Sequence, residues 1–246
     1  MDRGVIEKIR KRIAEAERIV FLGGAGVSTS SGISDFRSPA GLYNIRSRYG
    51  VGYETMLSHR YFIEHTETFY DFYWSTMVNA DAKPNRAHDA LASFERAHPE
   101  HHLTIITQNI DGLHQKSGSK MVLEAHGSTR RYRCTACGRK LGIEDIPNKG
   151  VPHCPSCGGL VKPEVVLYEE PLDQEVMSRC VEAMRLADLL IIGGTSMNVY
   201  PVAALPEFFA GRTIIMINKE ETSFDHKCDY VFHEDIGAAL SALLGD

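Results

Sequence analysis

Short apolar runs alternate with longer stretches of helical spacing through most of the chain, and this alternation sets the first expectation for the fold. Residues 19–22, 103–107, 121–123, 189–192 and 214–217 are rich in Ile, Leu and Val and too short for buried helices. They predict five strands of a parallel sheet covered on both faces. Between them, residues 84–97, 173–186, 202–209 and 236–244 carry apolar side chains at steps of three and four, which predicts helices on both sides of the sheet. At the start, Val5, Ile6, Ile9 and Ile13 stand at helical spacing among Arg and Lys within residues 1–17 and predict a first helix. Strands and helices alternating in this way make a doubly wound, Rossmann-like α/β domain. Two segments break the pattern. Residues 41–79, rich in Tyr and Phe, read as a loop followed by helices, and residues 130–160 are polar and punctuated by Gly and Pro. Both are expected to be insertions that build a smaller lobe.

The chain has 246 residues, 43% apolar and 24% charged, as a globular protein has and a disordered one does not. No run approaches the roughly 18 apolar residues of a membrane span. With 27 basic and 32 acidic residues the formal charge is −5 and there is no long basic run, so charge gives no reason to expect nucleic acid; a basic peptide suits its sign better. The broken apolar pattern of residues 1–17 is not the apolar core of an export signal, and a cytoplasmic location is expected.

Four of the six cysteines form two pairs, Cys134 with Cys137 and Cys154 with Cys157, each followed by glycine (Gly138, Gly158) and separated by residues 138–153. That spacing indicates a four-thiolate site for one structural Zn2+, whose closed shell leaves no position for catalysis. A redox role would need a thioredoxin-like helix after one pair, and two pairs on polar turns do not fit it. Cys180 and Cys228 are read as packing residues or incidental thiols. The domain expectation is a discontinuous nucleotide-binding domain of residues 1–39, 84–129 and 162–246, a helical insertion at 40–83 and a zinc ribbon at 130–161.

After the first predicted strand comes Gly23-Gly24-Ala25-Gly26-Val27-Ser28-Thr29-Ser30-Ser31-Gly32, where small residues allow a diphosphate close to the backbone at a helix N-terminus. Glycine needed only for packing is the alternative. The dehydrogenase pattern fails, because Thr29 stands where its third glycine belongs and no acidic ribose ligand follows at a strand end. Three further strand ends carry polar clusters: Thr107-Gln108-Asn109-Ile110-Asp111, Glu124-Ala125-His126-Gly127, and Gly194-Thr195-Ser196 with Asn198, Val199, Tyr200 and Pro201. In an open parallel sheet such ends share one crevice. Most of the eleven histidines are expected at the surface, and His126 stands apart by its position.

Together, Gly24 to Ser28, Gly32 to Arg37, Thr107 to Asp111, His126-Gly127, the two cysteine pairs and Gly194 to Ser196 resemble, in order and over nearly the whole chain, the sirtuin family of NAD-dependent protein deacylases. The chain looks most like a compact bacterial member of the class called undifferentiated. The resemblance implies a protein-lysine deacetylase that consumes NAD: the acyl-lysine attacks C1′ of the nicotinamide ribose, nicotinamide leaves, and O-acetyl-ADP-ribose results. It assigns His126 as general base, a task that an imidazole of ordinary pKa about 6.5 suits. Asn109 would hold the ribose and a water, and Asp111 with Ile110 the carboxamide. The resemblance further places Gly24, Ala25, Gly26, Ser28, Thr29, Asp35, Phe36, Arg37, Gln108 and Gly194 against NAD, with Thr195, Ser196, Asn218, Lys219, Asp235 and Ile236 at its adenosine end. The acetyl-lysine peptide would lie as a strand between Val165, Val166, Tyr168 and Glu169 on one side and Val199 and Tyr200 on the other.

Two departures from the family pattern stand out. Ser34 replaces a common proline, and Glu169 a common glycine; if that glycine needs positive φ, Glu169 costs energy, and if not, Glu169 and Glu170 favour basic peptide flanks. Members that remove acidic acyl groups carry Tyr-x-x-Arg, matched here to Tyr73-Trp74-Ser75-Thr76; residues 61–85 contain no Arg, which predicts a neutral acyl chain. A monomer is expected. Two alternatives remain open, a mono-ADP-ribosyltransferase and a non-enzymatic, NAD-sensing zinc-ribbon module binding nucleic acid through Arg130, Arg131, Arg133, Arg139 and Lys140.

Overall fold

The computed structural model describes residues 2–33, 46 and 48–245. Its helices are α1 (Arg3–Glu15), α2 (Tyr53–Met56), α3 (His59–Glu64), α4 (Thr66–Phe72), α5 (Arg86–Ala97), α6 (Leu113–Ser117), α7 (Gln174–Leu186) and α8 (Ile236–Leu244). The strands are β1 (Arg18–Gly23), β2 (His102–Thr107), β3 (Val122–Glu124), β4 (Gly127–Cys134), β5 (Lys140–Gly142), β6 (Val161–Val165), β7 (Leu189–Gly193), β8 (Thr213–Ile217) and β9 (Tyr230–Phe232). Helix limits follow local chemistry. Asp2 caps α1 by accepting from Val5 N, Asp173 caps α7 by accepting from Glu175 N and Val176 N, and Asp235 caps α8 by accepting from Ala238 N. The predicted helix at 202–209 is instead a 3-10 stretch, Val202–Phe208, with Pro206 inside it; proline supplies no N–H for the α ladder.

Six strands form one sheet in the order β3-β2-β1-β7-β8-β9, and every pair is parallel. All five predicted strands are present; the sixth, β9, is short and only half-buried. Alternate side chains of the central strands divide between two cores, as the two-residue period demands. Ile19, Phe21, Leu189, Ile191, Ile215 and Ile217 pack against α1, α5 and α8, whereas Val20, Leu22, Leu190, Ile192 and Met216 face α7 and the 3-10 stretch.

A three-stranded antiparallel sheet, β5-β4-β6, forms the smaller lobe with the short helices before α5. Phe62, Phe69, Tyr70 and Tyr73 from the helices share one core with Tyr132, Leu141, Val161, Val165 and Leu167 from the ribbon side. The two insertions therefore fold against each other, and β4 and β6 carry the ribbon sheet out to Gly127 and Val165. No described helix is long and apolar enough to cross a membrane.

Candidate functional site

Strand register brings the polar clusters together. Gly23, the last residue of β1, is level with Thr107 on β2 and Gly193 on β7, and Thr107 is level with Glu124 on β3. The segments that leave these ends, at Gly24, Gln108, Ala125 and Gly194, meet along one edge where the strand order reverses.

The glycine-rich segment is two 3-10 turns, Ala25–Val27 and Thr29–Ser31, and not the start of an α-helix, so the expected diphosphate seat on a helix N-terminus is corrected. Its glycines answer to the neighbouring strand end. Gly26 N donates to Gly194 O at 2.8 Å, and a Cβ on Gly24 or Gly26 would lie 2.7 Å from Thr195 Cβ or 2.8 Å from Gly194 Cα. Ala25 and Thr29 are left exposed at the rim. Below them, buried Ser28 donates through Oγ to Asp111 Oδ2 at 2.7 Å and accepts from Asn109 Nδ2 at 3.0 Å. Asp111 Oδ1 accepts from Leu113 N, and Thr107 Oγ1 accepts from Asn109 N. Gln108 Nε2 donates to Thr195 Oγ1 at 3.0 Å, joining the β2 and β7 ends.

His126 is half-buried, and its Nδ1 lies 3.0 Å from Gln108 O. A carbonyl only accepts, so Nδ1 carries the proton and Nε2 the lone pair, the form a general base needs. The ring is also fixed through its backbone, because His126 O accepts from Val166 N at 3.0 Å. At Gly127 φ is +77°, and a Cβ would lie 1.8 Å from Glu164 O, so only glycine lets the chain turn here from the crevice into β4. Ile110 packs its side chain against the small-lobe core while its carbonyl accepts from both Thr129 N and Thr129 Oγ1.

On the other side of His126, Val165 is buried in the small-lobe core, Val166 is half-buried and Tyr168 is exposed. The Tyr168 backbone pairs with the α2–α3 turn, its N donating to Leu57 O and its O accepting from His59 N. Val199 is half-buried, and Tyr200 is 73% exposed before a cis peptide bond to Pro201. Asn218 follows β8 and donates from Nδ2 to Glu220 O, and Lys219 and Ser196 are exposed. Asp235 is exposed and caps α8 through Oδ1, and Ile236 is buried against Gly193. Of Ile236 only the backbone is left for the role given it from sequence. Asp35, Phe36 and Arg37, like Ser34, lie outside the described residues.

The four cysteine sulfurs lie within 4.8 Å of one another, with Cys134 to Cys157 at 3.5 Å and Cys137 to Cys154 at 3.8 Å. Tetrahedral Zn–S bonds of about 2.3 Å would set neighbouring sulfurs about 3.8 Å apart. Gly138 and Gly158 take φ near +70°, closing each pair with a hydrogen bond to the carbonyl of Cys134 or Cys154. The backbone N–H of Cys137 draws the Cys134 thiol down to about 6, and that of Ser156 lowers Cys154. At Cys157 the Gly159 N–H lowers the pKa, but the adjoining sulfurs of Cys137 and Cys134 outweigh it and push it up to about 12. Only a cation lets all four ionise together. The donor set fits one structural zinc ion.

The model of the Sir2 family matches residues 24–201. The chain is 51% identical over 238 residues to an NAD-dependent protein deacetylase of Cutibacterium acnes, covering 96% of each. It is 47% identical to one of Clostridium acetobutylicum, covering 97% of this chain and 98% of that one. This chain belongs to the Sir2 family. Among solved structures it resembles a Sir2–p53 peptide–NAD+ complex, with TM-score 0.83, 32% identity and 99% and 98% of the two chains covered. A Sir2 homologue bound to ADP-ribose, carrying a serine-to-alanine change, gives TM-score 0.87 at 36% identity, covering 99% and 95%.

Within this Sir2-family chain the structure resolves the question at Glu169, whose φ is +74°. Such backbone costs on the order of 1–3 kcal/mol for a non-glycine residue. Its Oε2 accepts from Arg60 N in the first turn of α3, which offsets part of that cost. Glu170 is spent on Lys162 Nζ, His59 Nδ1 and Leu167 N. The match of Tyr73 to an acyl-reading tyrosine is corrected: it is 1% exposed, and its hydroxyl bonds Tyr132 in the small-lobe core. Of the ribbon cations, Arg131 pairs with Glu124 and Glu164, and Arg133 with Glu164. Sequence reasoning missed Asn85. It caps α5 through Oδ1 and donates from Nδ2 to Val27 O and Ser31 Oγ, fastening the glycine-rich turn; its place just before a helical run, with His88 three residues on, was the available signal.

Proposed function

We propose that the chain is an NAD-dependent protein-lysine deacetylase, taking acetyl-lysine, NAD and one water to lysine, nicotinamide and O-acetyl-ADP-ribose. The observation that carries this reading is the crevice edge, where Ser28 joins Asn109 to Asp111 and the Gln108 carbonyl holds His126, in a chain of this family. Bound NAD supplies the ribose carbon that receives the acyl oxygen as nicotinamide departs. His126 Nε2 takes a proton from a ribose hydroxyl, with its ring held by the Gln108 carbonyl. Asn109 and Asp111, cross-linked through Ser28, would hold the ribose and the carboxamide of NAD, so that orientation is set before reaction. Gly24, Ala25, Gly26, Thr29, Gln108, Ile110 and Gly194 would complete the NAD-binding surface, with Thr195, Ser196, Asn218 and Lys219 toward adenosine, and the family pattern assigns Asp35, Phe36 and Arg37 to NAD as well.

Val166, Tyr168, Glu169, Val199 and Tyr200 line the peptide channel, and Val165 supports it from the core. The absence of Arg from residues 61–85 supports a neutral acyl chain. The shared core of the two insertions supports a division into a nucleotide-binding domain and a small lobe that spans 40–83 and the ribbon sheet, Gly127 to Val165.

Protein incubated with an acetyl-lysine peptide is expected to remove the acetyl group only when NAD is added. His126→Ala should keep its fold and zinc and lose turnover by on the order of 10²–10⁴. Activity without NAD, or full activity in the variant, would overturn the assignment.

A further inference from the structure

At the amino end of β2, five residue steps of about 3.3 Å from the crevice, three donors converge where the proposed reaction uses nothing. Among the described residues, His98, Glu100 and His101 are the one group besides the four cysteines whose ligand atoms all lie within 4.8 Å of one another. Glu100 Oε1 stands 3.3 Å from His98 Nδ1 and 3.7 Å from His101 Nε2. Metal bonds of about 2.0–2.2 Å meeting near the tetrahedral angle put neighbouring donors about 3.4 Å apart, so a cation fits between them with little movement.

The donors are also held in place. His101 is only 10% exposed, and its Nδ1–H donates to Ala16 O at 2.5 Å, which directs the Nε2 lone pair toward Glu100. A ligating imidazole is oriented in this way, its other nitrogen bonded to a carbonyl. The Phe94 ring lies 4.8 Å from His98 and 5.5 Å from His101, and the turn is closed by His101 N donating to His98 O. His98 and Glu100 face solvent, leaving room for water to complete the coordination.

We propose that His98, Glu100 and His101 form a second metal site, for a divalent ion that favours imidazole with a carboxylate, such as Ni2+, Cu2+ or Zn2+. The ion ties the end of α5 to the connection between α1 and β1 through His101 and Ala16. It stands apart from the crevice and leaves basal deacetylation unchanged.

The test uses untagged, zinc-loaded protein dialysed against NiCl2, with metal content and melting temperature measured. Wild type should hold one zinc and one nickel per chain and melt higher as nickel rises. His98→Ala and Glu100→Gln should each keep the zinc, the fold and the deacetylase activity and bind nickel roughly tenfold or more weakly. His101→Ala should do the same if it folds without the Ala16 bond. No nickel beyond the zinc, or nickel held equally by the His98 and Glu100 variants, would overturn the site.

Discussion

His126, Asn109 and Asp111 take their meaning from the atoms that hold them: a carbonyl that fixes one imidazole tautomer and a buried hydroxyl that joins an amide to a carboxylate. All were legible in the sequence as motif residues, but the coupling of Asn109 to Asp111 through Ser28 was not, since Ser28 and Asp111 are 83 positions apart. Glu169 shows the reverse case. Sequence posed the question of strain against charge, and the backbone answered it with φ +74° and a carboxylate turned to the first turn of α3. Glu169→Gly relieves the strain and removes the bond to Arg60 N, so its melting temperature should stay close to wild type. With that carboxylate held by Arg60 N, its loss should leave KM alike for peptides with basic and acidic flanks. A rise in KM of roughly twofold or more confined to basic flanks would show that the charge is read.

At the scale of elements, strand register rather than any single side chain assembles the site, and Gly127 is the joint between the sheet end and the ribbon. Gly127→Ala should destabilise the protein by several kcal/mol, on the order of 3 or more, and lower activity in step, because His126 precedes it. Urea denaturation checks this, and a wild-type midpoint would contradict the close approach to Glu164 O. The parallel strands were legible because burial on both faces leaves runs such as Leu189 to Gly193 without polar interruption. β9 was missed because Tyr230–Phe232 is short and only half-buried. The 3-10 turns after β1 were read as a helix start because glycine spacing cannot separate a ligand seat from close packing, here against Gly194. Tyr73 was matched by spacing to the tyrosine of the Tyr-x-x-Arg motif, yet its ring belongs to an aromatic core that only the folded ribbon creates.

At the scale of the molecule, a buried imidazole pair behind the crevice couples stability to pH. His114 and His88 pack 4.7 Å apart; burial and the neighbouring His88 push His114 down to about 3, and burial lowers His88 against the opposing pull of Asp111 and Asp89. Both are neutral when folded and titrate near 6.5 when unfolded. Their contribution is full above about pH 6.5 and is lost progressively as pH falls toward 3. His114→Leu should therefore flatten the loss of melting temperature between pH 7 and pH 5; an unchanged slope would assign acid sensitivity elsewhere. The central claim is that this crevice transfers the acyl group to the ribose of NAD, and the product balance of one reaction tests it most directly. With an acetyl-lysine peptide and NAD, mass spectrometry should find one nicotinamide and one O-acetyl-ADP-ribose for each lysine freed. Peptide or protein gaining the mass of ADP-ribose while its acetyl group stays in place would contradict the account and make the chain a transferase of ADP-ribose.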